Sequence, residues 1–186
     1  EIAVKIARLN ILIKYKNKNF IPNIVCKNTL FEFGNNDLFN LNNKHMRNFD
    51  VIATNPPWGV HFSKADTERL KLSFPDITSI ESFSYFLKNG IDLLCDGGII
   101  SFILPESILN VKIHKDIREI ILKNTQIKKV VYLKRVFKNV FTPVIRIDLE
   151  NSTKENGQIE IYKENKKYTV QQDKWKNNPN FIFDIH

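Results

Sequence analysis

An asparagine, two prolines and a tryptophan stand in a row at Asn55-Pro56-Pro57-Trp58, directly after the apolar run Val51-Ile52-Ala53. The prolines fix two φ angles and remove two N–H donors, which leaves main-chain carbonyls to accept. The Asn55 side chain adds an amide oxygen, and Trp58 adds a flat face. Such a set suits the exocyclic amine of adenine, a poor nucleophile because its lone pair is delocalised into the ring. If the Asn55 side-chain oxygen and the Pro56 carbonyl accept its two N–H groups, the nitrogen becomes more pyramidal. Its lone pair then turns toward an electrophilic methyl group. Position and electrostatics supply the catalysis, with no covalent intermediate. An aromatic face stacks on a base that has left its duplex. The competing reading is a plain strand-ending turn, since Asn and Pro are common in turns.

Presenting that loop requires a strand before it. Asp50 to Thr54 reads as a buried strand, and the C-terminal end of such a strand is where open α/β sheets bind ligands. Residues 2–15 carry Ile2, Ile6, Leu9 and Ile13 at helical spacing. Ile21 to Val25 reads as a strand, the Asn-rich 34–48 as a loop, and 59–78 as a long loop. From Ser79 the pattern is helical through Ile80, Phe83, Leu87, Ile91 and Leu94, with Ser79 or Ser82 as N-cap and Gly97-Gly98 as the stop. Ile99 to Leu104 reads as a strand buried on both faces. A helix over 113–122 follows, then strands at 128–133 and 144–149. A hairpin is expected from 159–162 and 168–170, and a linker or further domain after Gln171. This order predicts an α/β fold, a mainly parallel sheet covered on both faces with an antiparallel edge.

The chain has 186 residues, 42% hydrophobic and 26% charged, with a net charge of +8. That composition fits a globular domain, and the charge fits either a polyanionic partner or a Lys- and Asn-rich bias. No apolar run is long enough to cross a bilayer. Cys26 and Cys95 have no His at ligand spacing and read as small buried apolar residues rather than a disulfide or zinc pair. Asp66 and Glu68 lack a partner for metal chemistry, so no metal is expected. His61 reads as a polar loop residue that approaches DNA. Lys112, Lys115 and Arg118 form either a DNA-lining set or the solvated face of a helix. Lys128, Lys129, Lys134, Arg135 and Lys138 are candidates for phosphate contact.

With these residues in place, the chain resembles the amino-methyltransferase branch of class I S-adenosylmethionine enzymes over roughly residues 1–150. It is most similar to the N6-adenine DNA methylases of restriction–modification systems. Asn55-Pro56-Pro57-Trp58 resembles that family's catalytic motif, of the form Asn or Asp, Pro, Pro, aromatic. Glu1 to Asn10 resembles the helix after the second strand. Lys27-Asn28-Thr29-Leu30 resembles the motif whose polar residue lies against the cofactor's adenine. Ser82-Phe83 through Ile99-Ile100 resembles the helix and strand after the catalytic loop. Val136 to Val144 resembles the late motif in which an aromatic residue packs on the flipped base, with Phe137 the better match and Phe141 the alternative.

The resemblance implies S-adenosylmethionine as cofactor, touched by Asn28, Thr29, Asn55 and Pro57. It implies Asn55, Pro56, Pro57 and Trp58 as catalytic residues, Trp58 and Phe137 as stacking residues, double-stranded DNA with a flipped adenine as partner, and a cytoplasmic location. Asn28 stands where many members carry Asp. The Gly-rich cofactor loop and the acid that holds the cofactor ribose have no counterpart here, and the first residue is Glu1. The expectation is therefore a fragment lacking the first strands, which alone binds cofactor poorly or not at all. Residues 1–150 would be the C-terminal part of the catalytic domain. Residues 151–186 would be a hairpin and linker toward a missing DNA-specificity region, with a separate nuclease domain or subunit also possible. Two alternatives stay open: methyl transfer to a protein glutamine or an RNA base, and a non-catalytic DNA-binding module of the same fold.

Overall fold

Alternating runs of Ile, Val, Leu and Tyr assemble the sheet on which everything else is hung. The computed structural model describes residues 2–16, 20–32, 49–138, 141–153 and 157–185. Two units divide the chain, Glu1–Asp37 and Leu38–His186. The first holds α1 (Ile2–Lys14) and α2 (Thr29–Glu32). The helix expected over 2–15 is thus present, and Ile2, Ile6, Leu9 and Ile13 are exposed. The strand expected at 21–25 is not formed: residues 20–28 adopt no regular element. Pro22 lies inside that run and cannot donate to a ladder. The loop expected at 34–48 lies outside the described residues.

The second unit contains α3 (Lys64–Ser73), α4 (Ser82–Leu93), α5 (Lys115–Asn124) and α6 (Gln172–Lys176). Its strands are β1 (Phe49–Thr54), β2 (Leu94–Pro105), β3 (Gln126–Lys134), β4 (Val144–Glu150), β5 (Gln158–Lys163) and β6 (Lys166–Gln171). Among the described residues these form a 6-stranded sheet in the order β1-β2-β4-β3-β5-β6. β1 pairs with β2, and β3 with β5, in parallel; β4 is antiparallel to both its neighbours, and β6 is antiparallel to β5. So β1, β2, β3 and β5 share one direction, as a mainly parallel α/β fold requires. The antiparallel edge is β6, and a second reversed strand, β4, lies inside the sheet. The link 135–143 between β3 and β4 is too short for a crossover helix, so β4 must return antiparallel.

The core lies on one face. Ile100, Phe102, Leu104, Val130, Ile145, Ile147, Leu149, Ile159 and Ile161 are all buried. α4 docks here through Gly90, where an added Cβ would lie 3.3 Å from Ile100 and 3.4 Å from Phe102. α5 packs beside α4 and against β3. The opposite face is polar and half-buried. Ser101 donates to Asp148 at 2.7 Å, Arg146 pairs with the same carboxylate at 3.0 Å, and Lys129 lies 3.6 Å from Glu160. The double covering expected from the sequence is not met among the described residues of this unit.

Four further expectations need correction. β1 is not a buried strand: Val51 is 64% exposed and Phe49 44%, because only β2 flanks it here. The stretch 59–78 contains α3, whose N-cap Ser63 accepts from Asp66 N at 3.1 Å and donates to the Asp66 carboxylate at 2.8 Å. α4 is capped by Glu81 without a side-chain bond, and it ends at Leu93, before Gly97. Neither cysteine is fully buried: Cys26 is exposed and Cys95 intermediate. Partial burial and the neighbouring Asp50 push the Cys95 thiol above its ordinary pKa.

The expected hairpin is β5–β6, and it extends the sheet through β3. After Gln171 the chain forms α6 and folds back. The buried Gln172 anchors this arrangement. Its side-chain oxygen accepts from Ile127 N at 2.7 Å, and its amide donates to Thr125 O at 2.8 Å. Trp175 and Phe183 stack at 4.8 Å, and Phe183 N donates to Leu109 O at 2.8 Å.

Candidate functional site

β1, β2 and β3 run the same way, so the chain leaves all three at one end of the sheet. The segments 55–63 and 106–114 and residues 135–138 therefore emerge together. Asn55 follows Thr54, the last residue of β1, which is in register with Phe102. Asn55 is exposed, Pro56 is buried and Pro57 is exposed. Among the described residues, no hydrogen bond engages the Asn55 side chain or the Pro56 carbonyl. The Pro57 carbonyl is engaged: Ser82 Oγ donates to it at 2.6 Å. Gly59 has φ +64, which returns the chain just beyond Trp58 at a backbone conformation that disfavours a side chain.

Trp58 is half-buried and meets Phe137 edge to face, with ring centroids 5.9 Å apart and planes at 70°. This geometry is favourable for two aromatic quadrupoles. It also ties the loop after β1 to the loop after β3. Phe137 is 36% exposed and Phe141 82%, so Phe137 is the one held in place. The Trp58 indole N–H is buried with no partner among the described residues.

Asn28 and Thr29 stand in the first unit. Asn28 Oδ1 accepts from Leu30 N at 3.2 Å and its carbonyl accepts from Phe31 N at 3.1 Å, which starts α2. Both side chains are exposed.

The basic residues separate into three groups. Lys128 and Lys129 pair with Glu150 and Glu160 at 3.0 and 3.6 Å. Lys134, Arg135 and Lys138 are exposed at the end of the sheet that carries Asn55. Lys112 and Lys115 are exposed, but Arg118 is fully buried, which corrects its reading as a DNA-lining or solvated residue. It donates to the carbonyls of Ile108 at 2.8 Å and Val111 at 2.9 Å, and twice to that of Asn180 at 3.2 and 2.9 Å. The pattern holds a signal of this position, since residue 118 falls on the same helical stripe as Ile117, Ile121 and Leu122.

His114 is also buried. Its Nε2 lies 3.4 Å from Ser107 Oγ and its ring 5.0 Å from that of Phe83. Burial pushes its pKa down; Glu81 opposes this, Arg118 reinforces it and Asp116 opposes it. The exposed His61 keeps its place as a loop residue beside the motif. Among the described residues, no group of three His, Cys, Asp or Glu side chains is placed to hold a metal ion. No helix among them is long and apolar enough to cross a membrane.

The sequence profile of the Eco57I restriction-modification methylase family matches residues 1–141. The chain is 28% identical over 138 residues to the Type II methyltransferase M.VspI of Vibrio sp. (strain 343), covering 74% of this chain and 34% of that protein. It is 26% identical over 167 residues to the Type II restriction enzyme and methyltransferase RM.Eco57I of Escherichia coli, covering 82% of this chain and 17% of that protein. Among solved structures, the fold is similar to the ATP-dependent Type ISP restriction-modification enzyme LlaBIII bound to DNA. There the TM-score is 0.60 at 19% identity, over 87% of this chain and 14% of that one. The chain thus spans about a third or less of the relatives it matches.

Proposed function

Since the chain belongs to the Eco57I restriction-modification methylase family, we propose that it is part of an enzyme that transfers a methyl group from S-adenosylmethionine to adenine N6 in DNA. The observation that carries this is the exposed Asn55 at the tip of β1, beside an aromatic pair drawn from two separate loops. The site lies at the end of the sheet where open α/β folds take their ligands.

Each residue then has a task. The Asn55 side-chain oxygen and the Pro56 carbonyl accept the two amino hydrogens of the target adenine and hold its nitrogen pyramidal. Trp58 and Phe137 offer aromatic surface to a base swung out of the duplex. Lys134, Arg135 and Lys138 hold the adjoining phosphates, which positions the duplex without reading it. The chemistry requires no metal.

S-adenosylmethionine, when bound, supplies a methyl group on a positively charged sulfur. By their chemistry, Asn28, Thr29, Asn55 and Pro57 suit it: amide and hydroxyl groups match a purine edge, and carbonyls favour a neighbouring cation. A specificity region and a nuclease, in this polypeptide or a partner, would supply site recognition and cleavage, and the enzyme would act in the cytoplasm.

The test is Asn55→Ala in the full-length protein, with labelled methyl transfer to DNA, RNA and protein measured side by side. The expected result is loss of N6-methyladenine with DNA binding largely retained. Unchanged methylation of DNA in the variant, or label in RNA or protein alone in the parent, would overturn the proposal.

A further inference from the structure

We infer that Ser82 is a positioning residue of the catalytic loop, holding the Pro57 carbonyl and thereby fixing where Asn55, Pro56 and Trp58 stand. This rests on the methyl-transfer reading above. Ser82 is the first residue of α4 and is fully buried. Its hydroxyl donates to Pro57 O at 2.6 Å, across 25 positions of sequence.

The loop has few other restraints. The proline rings fix φ at residues 56 and 57, so the remaining freedom lies in ψ. A bond to the Pro57 carbonyl fixes the peptide plane between Pro57 and Trp58. On one side, that plane limits how the Pro56 carbonyl can turn. On the other, it sets the direction in which the Trp58 side chain leaves the backbone. The indole does nothing to fix itself, because its N–H has no partner among the described residues. Its orientation depends on the peptide plane and on the edge contact with Phe137.

Ser82 can hold the loop because it is itself held. α4 presses on β2 through Gly90, within contact distance of Ile100 and Phe102. Phe102 is in register with Thr54, the residue before Asn55. The path from Thr54 through Phe102, Gly90 and Ser82 to Pro57 is therefore a closed frame. The hydroxyl of Ser82 is the hydrogen bond by which that frame reaches the loop.

The test uses the full-length enzyme with Ser82→Ala, Ser82→Cys and Ser82→Thr, and Asn55→Ala as control. Ser82→Ala is expected to lower kcat by at least about tenfold, the scale set by small misplacements of reacting groups. KM for DNA should stay within about twofold, since uniform binding is untouched. Ser82→Cys keeps the size but is a weak donor, so its kcat should fall similarly. Ser82→Thr keeps the hydroxyl and should recover most of the rate. A wild-type kcat in Ser82→Ala or Ser82→Cys, with Asn55→Ala inactive, overturns the role of Ser82 alone. So does a rise in KM while kcat holds. Should Ser82→Ala not fold, Ser82→Cys gives the answer by the same readouts. An active Asn55→Ala overturns the underlying reading instead.

Discussion

Replacing Arg118 with methionine removes a guanidinium that is 0% exposed and leaves its acceptors behind. One of them, the carbonyl of Ile108, lies well inside the fold; Val111 and Asn180 are exposed, so water can replace the arginine there, and Val111 O also keeps its bond from His114 N at 3.1 Å. Orphaning the buried Ile108 carbonyl costs about 1–3 kcal/mol. Against this, methionine relieves the desolvation of a buried cation, which burial already disfavours enough to push its pKa down while Asp116 partly restores it. The net expected loss is about 1–2 kcal/mol. With a urea slope of about 2 kcal/mol/M, the unfolding midpoint should fall by about 0.5–1 M. Arg118→Lys should be worse, because an ammonium stays charged but cannot span Val111 and Asn180 together. The assay is equilibrium urea unfolding followed by far-ultraviolet circular dichroism. A midpoint shift below about 0.3 M for Arg118→Met, or a milder effect for Arg118→Lys, would refute the reasoning.

Three other outcomes are expected. Phe137→Ala removes the edge contact with Trp58, worth about 0.5–1.5 kcal/mol, and should lower kcat/KM on DNA about three- to tenfold, with Phe137→Tyr close to wild type; equal rates in all three would reject the pair as functional. Alanine at Lys134, Arg135 and Lys138 should flatten the dependence of log affinity on log salt by about 0.9 for each phosphate no longer neutralised, measured by fluorescence anisotropy on duplex DNA. His114 has its folded pKa lowered by burial, so the unfolded chain binds the proton first as pH falls. Its stabilisation is full above an unfolded value of about 6.5 and is lost as pH drops through the folded value. The fall in urea midpoint between pH 7.5 and 5.5 should therefore be smaller in His114→Gln than in the parent; an identical fall would exclude this imidazole as a source.

Much of the second unit is legible in the sequence because its signals are local. A short apolar run marks β2, apolar residues in short runs mark β3 and β4, spacing of three to four marks α4 and α5, and the Lys/Asn turn marks the β5–β6 hairpin. The Asn-Pro-Pro-Trp run locates the loop, since prolines end a strand wherever it lies. The departures are of two kinds. Pro22 interrupts the apolar run at 21–25, and the Ser63-x-x-Asp66 cap starts α3 within 59–78; both are local signals in the sequence. The burial of Arg118, the exposure of β1 and the docking of Trp175 depend on which surfaces meet, and spacing alone does not report that. Ser82 is legible only as a helix start; its bond to Pro57 is a long-range fact.

The chain has two tryptophans, and the fold assigns them opposite duties. Trp175 is shut away on Phe183, while Trp58 sits half-open against Phe137 in the loop beside Asn55. With Trp175→Phe the molecule keeps a single tryptophan, which light at the red edge of the indole band excites apart from the tyrosines. Its intrinsic fluorescence would then follow the ring beside Asn55 as nucleic acid arrives, with no dye attached.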